Sequence, residues 1–205
     1  MDDSPAVNDP NGCDRLLDHG DAVGPSSLDP VPFRDHAGWP ASPRLEANRQ
    51  LSSLLRRQRS AASVAHSAAE YFRELFAART VSVARHESGQ YTELANVGFL
   101  PPQNRWYPPR RSYPDSVFRS ATKDLQENGG YFTSDLQDQR YQEFVGCRHD
   151  PEVLSVMGAP IIGDGIMRGE VFLTRGRGQQ AFDRNDLDFS RELASTLGRF
   201  LEVAH

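Results

Sequence analysis

Residues 153–175, VLSVMGAPIIGDGIMRGEVFLTR, carry two apolar runs on either side of Gly163-Asp164-Gly165. Asp-Gly accepts the positive φ values that a tight reversal demands, and the flanking β-branched and aromatic residues favour pairing. The stretch therefore predicts a β-hairpin. Along its second strand Met167, Gly169, Val171 and Leu173 alternate with Arg168, Glu170, Phe172 and Thr174. A period of two predicts one apolar face for a core and one mixed face free to line something else. Each aliphatic side chain fully buried there contributes roughly 1.5–3 kcal/mol, so the hairpin is expected to be the most strongly buried local unit.

The 205 residues leave room for one compact domain plus a tail. Residues 1–42 hold eight Asp and two Arg, a balance of −6 that leaves the rest of the −5 chain nearly neutral. Pro5, Pro10, Pro25, Pro30, Pro32 and Pro40 punctuate this stretch, and few large apolar residues offset the entropy of ordering it. It reads as a disordered acidic tail, with Phe33 and Trp39 either solvated or docked on a partner or on the body. The folded part lacks the basic footprint of a nucleic-acid-binding domain. Cys13 and Cys147 are the only cysteines, which excludes a disulfide framework and is too few for a tetrahedral cysteine-rich zinc site. No apolar run approaches the roughly 20 residues of a spanning helix, and the acidic start does not resemble a secretory signal. A soluble cytoplasmic protein with no nucleic-acid or membrane partner is expected.

Ser42-Pro43 is a helix-start signal, and the pattern stays helical to residue 78. Leu51, Leu55, Gln58, Ala62, Ala65, Ala69, Phe72 and Phe76 advance by steps of four and three, a heptad seam. The chain thus divides into a tail over 1–42, an N-terminal helix over 43–78 and a core over 79–205. The seam is covered either by the chain's own sheet or by a second copy. A helix of about 35 residues exceeds what a small domain covers. Leu51 and Leu55 lie far along the sequence from the C-terminal half, so a homodimer through helices 44–78 and 183–203 is expected.

Residues 80–86 alternate as a strand, and 91–97 follow across Ser88-Gly89-Gln90 as its hairpin partner. Pro101, Pro102, Pro108, Pro109 and Pro114 argue against regular structure over 98–114, and ordered loops of that length are usually functional. Asp115 reads as the cap of a helix that buries Val117, Phe118, Ala121 and Leu125 and stops at Asn128-Gly129-Gly130. A short strand over 131–134 and a short helix or turn over 139–147 follow. After the central hairpin Asp183 caps a last helix bearing Leu187, Phe189, Leu193 and Leu197. The order predicts a mixed α/β (α+β) layer on an antiparallel sheet.

The run Ser155-Val156-Met157-Gly158-Ala159-Pro160-Ile161-Ile162 is followed by Gly169-Glu170-Val171-Phe172-Leu173, then by Phe182-Asp183 and Asp186-Leu187. Together these resemble a GAF domain, the small-molecule sensor fold related to PAS domains. Phe132-Thr133-Ser134-Asp135-Leu136 resembles the family's short third strand, residues 79–97 resemble its first hairpin, and the likeness runs from about residue 50 to 203. It implies a central antiparallel sheet of five to six strands with the N- and C-terminal helices packed on one face. Strand pattern alone would put Pro160 at a sheet edge; the resemblance implies a place inside the sheet, at a bulge. It further implies a pocket between the sheet's outer face and segments 98–114 and 135–153. The ligand-binding candidates along that path are Trp106, Tyr107, Tyr113, Phe118, Phe132, Asp135, Tyr141, Phe144, Cys147 and His149. Aromatic walls with a few polar groups suit a planar ligand, and the alternative is that these rings fill the space beneath the loops. Arg105, Arg110 and Arg111 either pair with a phosphate or carboxylate or form a solvated loop face.

Cys147-Arg148-His149-Asp150 is the one cluster suited to covalent or proton-transfer chemistry. Free methionine sulfoxide reductases share the implied fold, but their thiol chemistry needs a resolving cysteine that the body lacks. Bilin-binding photoreceptors attach their pigment to a cysteine followed directly by histidine, and here Arg148 intervenes. No Ser-His-Asp or metal-ligand spacing is recognisable, no pattern names a cofactor, and no output segment follows residue 204, which points to a stand-alone domain. The expectation is a non-catalytic sensory or regulatory domain that takes a small molecule and acts in signal transduction through a helical dimer. The alternative is a ligand-free scaffold that recruits a protein partner; a thiol enzyme or photoreceptor is the lesser one.

Overall fold

The computed structural model describes residues 41–98, 112–134 and 153–204. Helices α1 (Ala41–Leu55) and α2 (Ala61–Leu75) lead into strands β1 (Thr80–Glu87), β2 (Gln90–Gly98) and β3 (Ser112–Pro114). A 3-10 turn (Asp115–Phe118), helix α3 (Arg119–Glu127), β4 (Tyr131–Thr133), β5 (Val153–Gly163), β6 (Ile166–Gly176) and helix α4 (Arg184–Val203) complete the order. The six strands form one antiparallel sheet in the order β3-β2-β1-β6-β5-β4. This is the α+β layer expected.

The β5–β6 hairpin sits at the middle of the sheet and closes as the residues require. Asp164 and Gly165 take φ values of 45° and 74°, so both turn positions are left-handed, the geometry that matches the twist of the flanking strands. Met157, Ala159 and Ile161 of β5 and Val171 and Leu173 of β6 are fully buried on one side, with Val81 and Val83 of β1 beside them. Helices α1, α2 and α4 cover that side. Pro160 stands inside β5, paired with Glu170 of β6. The pairing slip in this hairpin falls one residue later, between Ile161 and Ile162, rather than at the proline. Among the described residues β4 pairs with 156–158 only, so no strand pairs with Pro160 on that flank, where a proline without an N–H is tolerated.

Three local expectations are corrected. First, residues 43–78 are two helices, not one. The chain leaves α1 through Gln58 N donating to Leu55 O (3.0 Å), and Ser60 then caps α2, its hydroxyl accepting from Ser63 N while Ser63 returns the bond. A serine offering this reciprocal cap interrupts the seam just where Gln58 was counted as helical. The reversal brings α1 beside α2 and α4: Tyr71 donates to Ala47 O (3.0 Å), Arg44 pairs with Glu192 (2.7 Å), and Thr196 donates to Asn48 (2.9 Å). Leu51 and Leu55 are consequently buried within the chain, and the reason for covering them with a second copy falls away. Second, Asp115 opens a 3-10 turn without a side-chain cap, and Val117 is exposed rather than buried. Third, the slip between Ile161 and Ile162 leaves Arg168 unpaired, so Met167 packs on the opposite face from Val171 and Leu173, with Phe172.

The two layers are pinned where β6 runs out. Arg175 pairs with the fully buried Asp186 of α4 at 3.0 Å, donates from Nε and Nη2 to Phe76 O at the end of α2, and lies 4.2 Å over the Phe182 ring. Asp186 also closes the capping box of α4 with Asp183.

Replacing Leu51 by alanine is expected to lower the free energy of unfolding by about 2–5 kcal/mol. In urea melts the loss should be the same at low and high protein concentration. A loss that grows or shrinks with concentration would place the partner of Leu51 in a second copy.

Candidate functional site

The face of the sheet away from α1, α2 and α4 has a different chemistry, set by strand parity. Cross-strand pairing lines up Glu93 of β2, Ala84 of β1, Glu170 of β6 and Pro160 of β5 in one row. The next row toward the ends of β2 and β6 is Asn96, Ser82, Phe172, Gly158 and Tyr131. On the other side stand Tyr113, Tyr91 and His86. Part of this face is roofed by Phe118, Ala121 and Leu125 of the 3-10 turn and α3, which pack with Tyr91, Tyr131 and Val156.

The aromatic side chains lock one another. Tyr91 stacks on Tyr113 with centroids 5.6 Å apart, Tyr113 meets Phe118 edge-on at 5.1 Å, and the His86 ring lies 4.6 Å from Tyr91. The Tyr91 hydroxyl bonds the hydroxyl of Thr122 at 3.2 Å. His86 Nε2 faces Asp115 Oδ2 at 3.5 Å. Tyr131 lies across Gly158 so closely that a Cβ there would come within 2.4 Å of both the ring and the Glu170 carboxylate, which only glycine permits.

Two carboxyl groups are buried in this setting. Tyr131 donates to Glu170 Oε1 at 2.6 Å. Glu170 is partly exposed as a residue, yet its carboxyl lies down against the backbone of Gly158. Desolvation raises it to about 7, outweighing the Tyr131 hydrogen bond that lowers it. Glu93 is 4% exposed, and its Oε2 accepts from Ser82 (3.4 Å) and Asn96 (3.3 Å). Desolvation raises it also to about 7. Tyr91 and Tyr131 are pushed well up by burial and then by the Glu170 charge, so both keep their phenolic protons.

Of the ten residues singled out from the sequence, Tyr113 and Phe118 belong to this cluster. Phe132 does not. It follows Tyr131 in the strand, pairs with Met157 on the helix-side parity, and is 36% exposed. Trp106, Tyr107, Asp135, Tyr141, Phe144, Cys147 and His149 lie outside the described residues. Sequence reading missed Tyr91, Glu93, Tyr131 and Glu170. The available signal was parity: Tyr91 and Glu93 sit two apart in one strand, and Glu170 was already on the mixed face of the hairpin. Among the described residues no group of three or more His, Cys, Asp or Glu gathers to hold a metal, and no helix is long and apolar enough to cross a membrane.

The folded chain holds protons on Glu93 and Glu170 that the unfolded chain, with carboxyls at the usual 4.5, has released. Stability from these two groups is therefore complete below about pH 4.5 and is lost as pH rises to about 7. Glu93→Gln and Glu170→Gln should each flatten this fall. In thermal and urea melts each variant should match the wild type at pH 5 and exceed it at pH 8 by on the order of 2–3 kcal/mol. Variants less stable than the wild type at pH 8 would contradict the assignment.

The GAF domain family model matches residues 60–201. Among curated proteins none matches the chain significantly. Among solved structures, the GAF domain of an Acinetobacter phosphoenolpyruvate-protein phosphotransferase aligns with a TM-score of 0.62 and 14% identity, over 79% of this chain and 94% of that one. The free methionine-R-sulfoxide reductase of Neisseria meningitidis, solved with its substrate, gives 0.59 and 16%, over 80% and 91%. The chromophore-binding domain of a Stigmatella aurantiaca bacteriophytochrome gives 0.61 and 16%, over 82% and 63%. At these identities the three structures speak for the fold, and the family model, which spans most of the described sheet and helices, assigns the chain to the GAF domain family.

Proposed function

We propose that the chain is a non-catalytic sensory or regulatory domain of the cytoplasm. It binds a small molecule against the sheet face opposite α1, α2 and α4, with segments 98–114 and 135–153 supplying the cover. The observation that carries this is the pair of desolvated carboxyls, Glu93 and Glu170, set among Tyr91, Tyr131 and Phe172. Buried acids at raised pKa oppose folding at neutral pH, and such arrangements cluster at functional sites. Aromatic surface with a few convergent polar groups is also the usual make-up of a ligand site. The sulfoxide reductase and the bacteriophytochrome are likenesses of fold alone. Beyond residue 42 the chain has one cysteine, Cys147, where dithiol reduction needs a second.

Signalling requires that the ligand bind two states of the protein with different affinity. In this proposal the output passes through the helix layer to a second copy or another protein. With Leu51 and Leu55 buried inside the chain, a homodimer rests on the exposed apolar side chains of the helices, Leu45 on α1 and Val203 on α4.

Native mass spectrometry of the full chain purified from its own host should show a retained mass of metabolite size, released on acidification. A chain that carries none, and that gains no thermal stability from any member of a metabolite library, would remove the binding function. Light scattering at tens of micromolar tests the dimer, and a monomer there removes it.

A further inference from the structure

We infer that the sheet face contains a subsite for an organic cation, in which Glu93 and Glu170, standing in one cross-strand row on either side of Ala84, receive a planar N–H donor group such as an amidinium or guanidinium. This deepens the ligand-binding proposal above and rests on it.

The hydrogen bonds of the two acids are divided in the same way. Each carboxyl has one oxygen held by its own side of the sheet: Glu93 Oε2 by Ser82 and Asn96, Glu170 Oε1 by Tyr131. Each has one oxygen left over. Glu93 Oε1 is buried and accepts no hydrogen bond. Glu170, a partly exposed residue, has no hydrogen-bond partner for Oε2 among the described residues and so keeps that oxygen open to a donor from outside. Buried polar atoms are nearly always satisfied, so an unsatisfied carboxylate oxygen in a residue 4% exposed marks a place where a partner belongs. No described lysine, arginine or histidine pairs with either acid.

The row also sets the size and kind of partner. Two strand spacings put the Cα atoms of Glu93 and Glu170 roughly 10 Å apart. The residue between them is alanine, so no large side chain of the row stands in that interval. A bare divalent ion is a poor match, since it needs more than two carboxylates and no third acidic, histidine or cysteine ligand gathers with them among the described residues. An anion is repelled by both. A forked, delocalised cation meets two acceptors at once and is weakly hydrated, which lowers the cost of taking it out of water. Phe172, in the neighbouring row on the same face, adds aromatic surface beside the two acids, of the kind such cations favour.

The test uses the full chain at pH 8 with benzamidine as the probe and benzoate as its charge-reversed counterpart of the same shape. Calorimetric titration and thermal melts should show saturable binding and a raised melting temperature with benzamidine and neither with benzoate. Glu93→Gln and Glu170→Gln should each weaken benzamidine binding at least tenfold. The comparison of the two probes on the wild type stands even if a variant fails to fold. Absence of benzamidine binding, equal response to benzoate, or unchanged affinity in well-folded variants would overturn the inference. A metabolite retained in native mass spectrometry but lacking a cationic group would overturn the cation subsite and leave the binding function standing.

Discussion

A strand shows alternate side chains to opposite sides, and here the central ladder of β1, β6 and β5 has to serve two unlike surroundings at once. Val171 and Leu173 go to the dry layer under the helices, while Glu170, Phe172 and Thr174 go to the other side. Slips at Val83/Ala84 and Ile161/Ile162 re-aim single residues without disturbing this partition. Arg175 and Asp186 then fix the helix layer to the end of the ladder, and a buried pair of this kind holds only while both partners remain. With stability concentrated on the helix side, the opposite face is free to keep groups that burial disfavours.

That division explains why acids persist at Glu93 and Glu170. In a sheet whose two faces were both structural, such positions would favour apolar residues, because a desolvated carboxyl must either hold its proton or find a cation. Each acid is instead half satisfied, by Tyr131 on one flank and by Ser82 and Asn96 on the other. Gly158 belongs to the same device, since any side chain there would displace the Tyr131 ring that orients Glu170.

Much of the architecture was legible in the residues. Asp164-Gly165 specifies its own turn, Asp183 and Asp186 specify the start of α4, and the β1–β2 hairpin follows from alternation. Long-range context was less accessible. The stop between α1 and α2 depends on Ser60 competing successfully with an otherwise helical pattern, a balance of about one capping interaction. Bulges shift parity by one, which moved Met167 to the other face, and in β4 the same single step separates Phe132, on the helix-side parity, from Tyr131 on the face of the cluster. Of the aromatic residues singled out from the sequence, Tyr113 and Phe118 fall in the cluster on this face. Glu93 and Glu170 were not singled out, because a glutamate in a strand looks solvent-facing until the three-strand row that unites them is known.

The central claim is that these two carboxyls are held out of water on the face the helices leave open. The most direct measurement is a carbon-13 NMR titration of the glutamate side chains in the full chain, with Glu93→Gln and Glu170→Gln spectra providing the assignments. Two resonances with midpoints near 7, well apart from the remaining glutamates, are expected. Midpoints for both at the usual carboxylate value near 4.5 would contradict it.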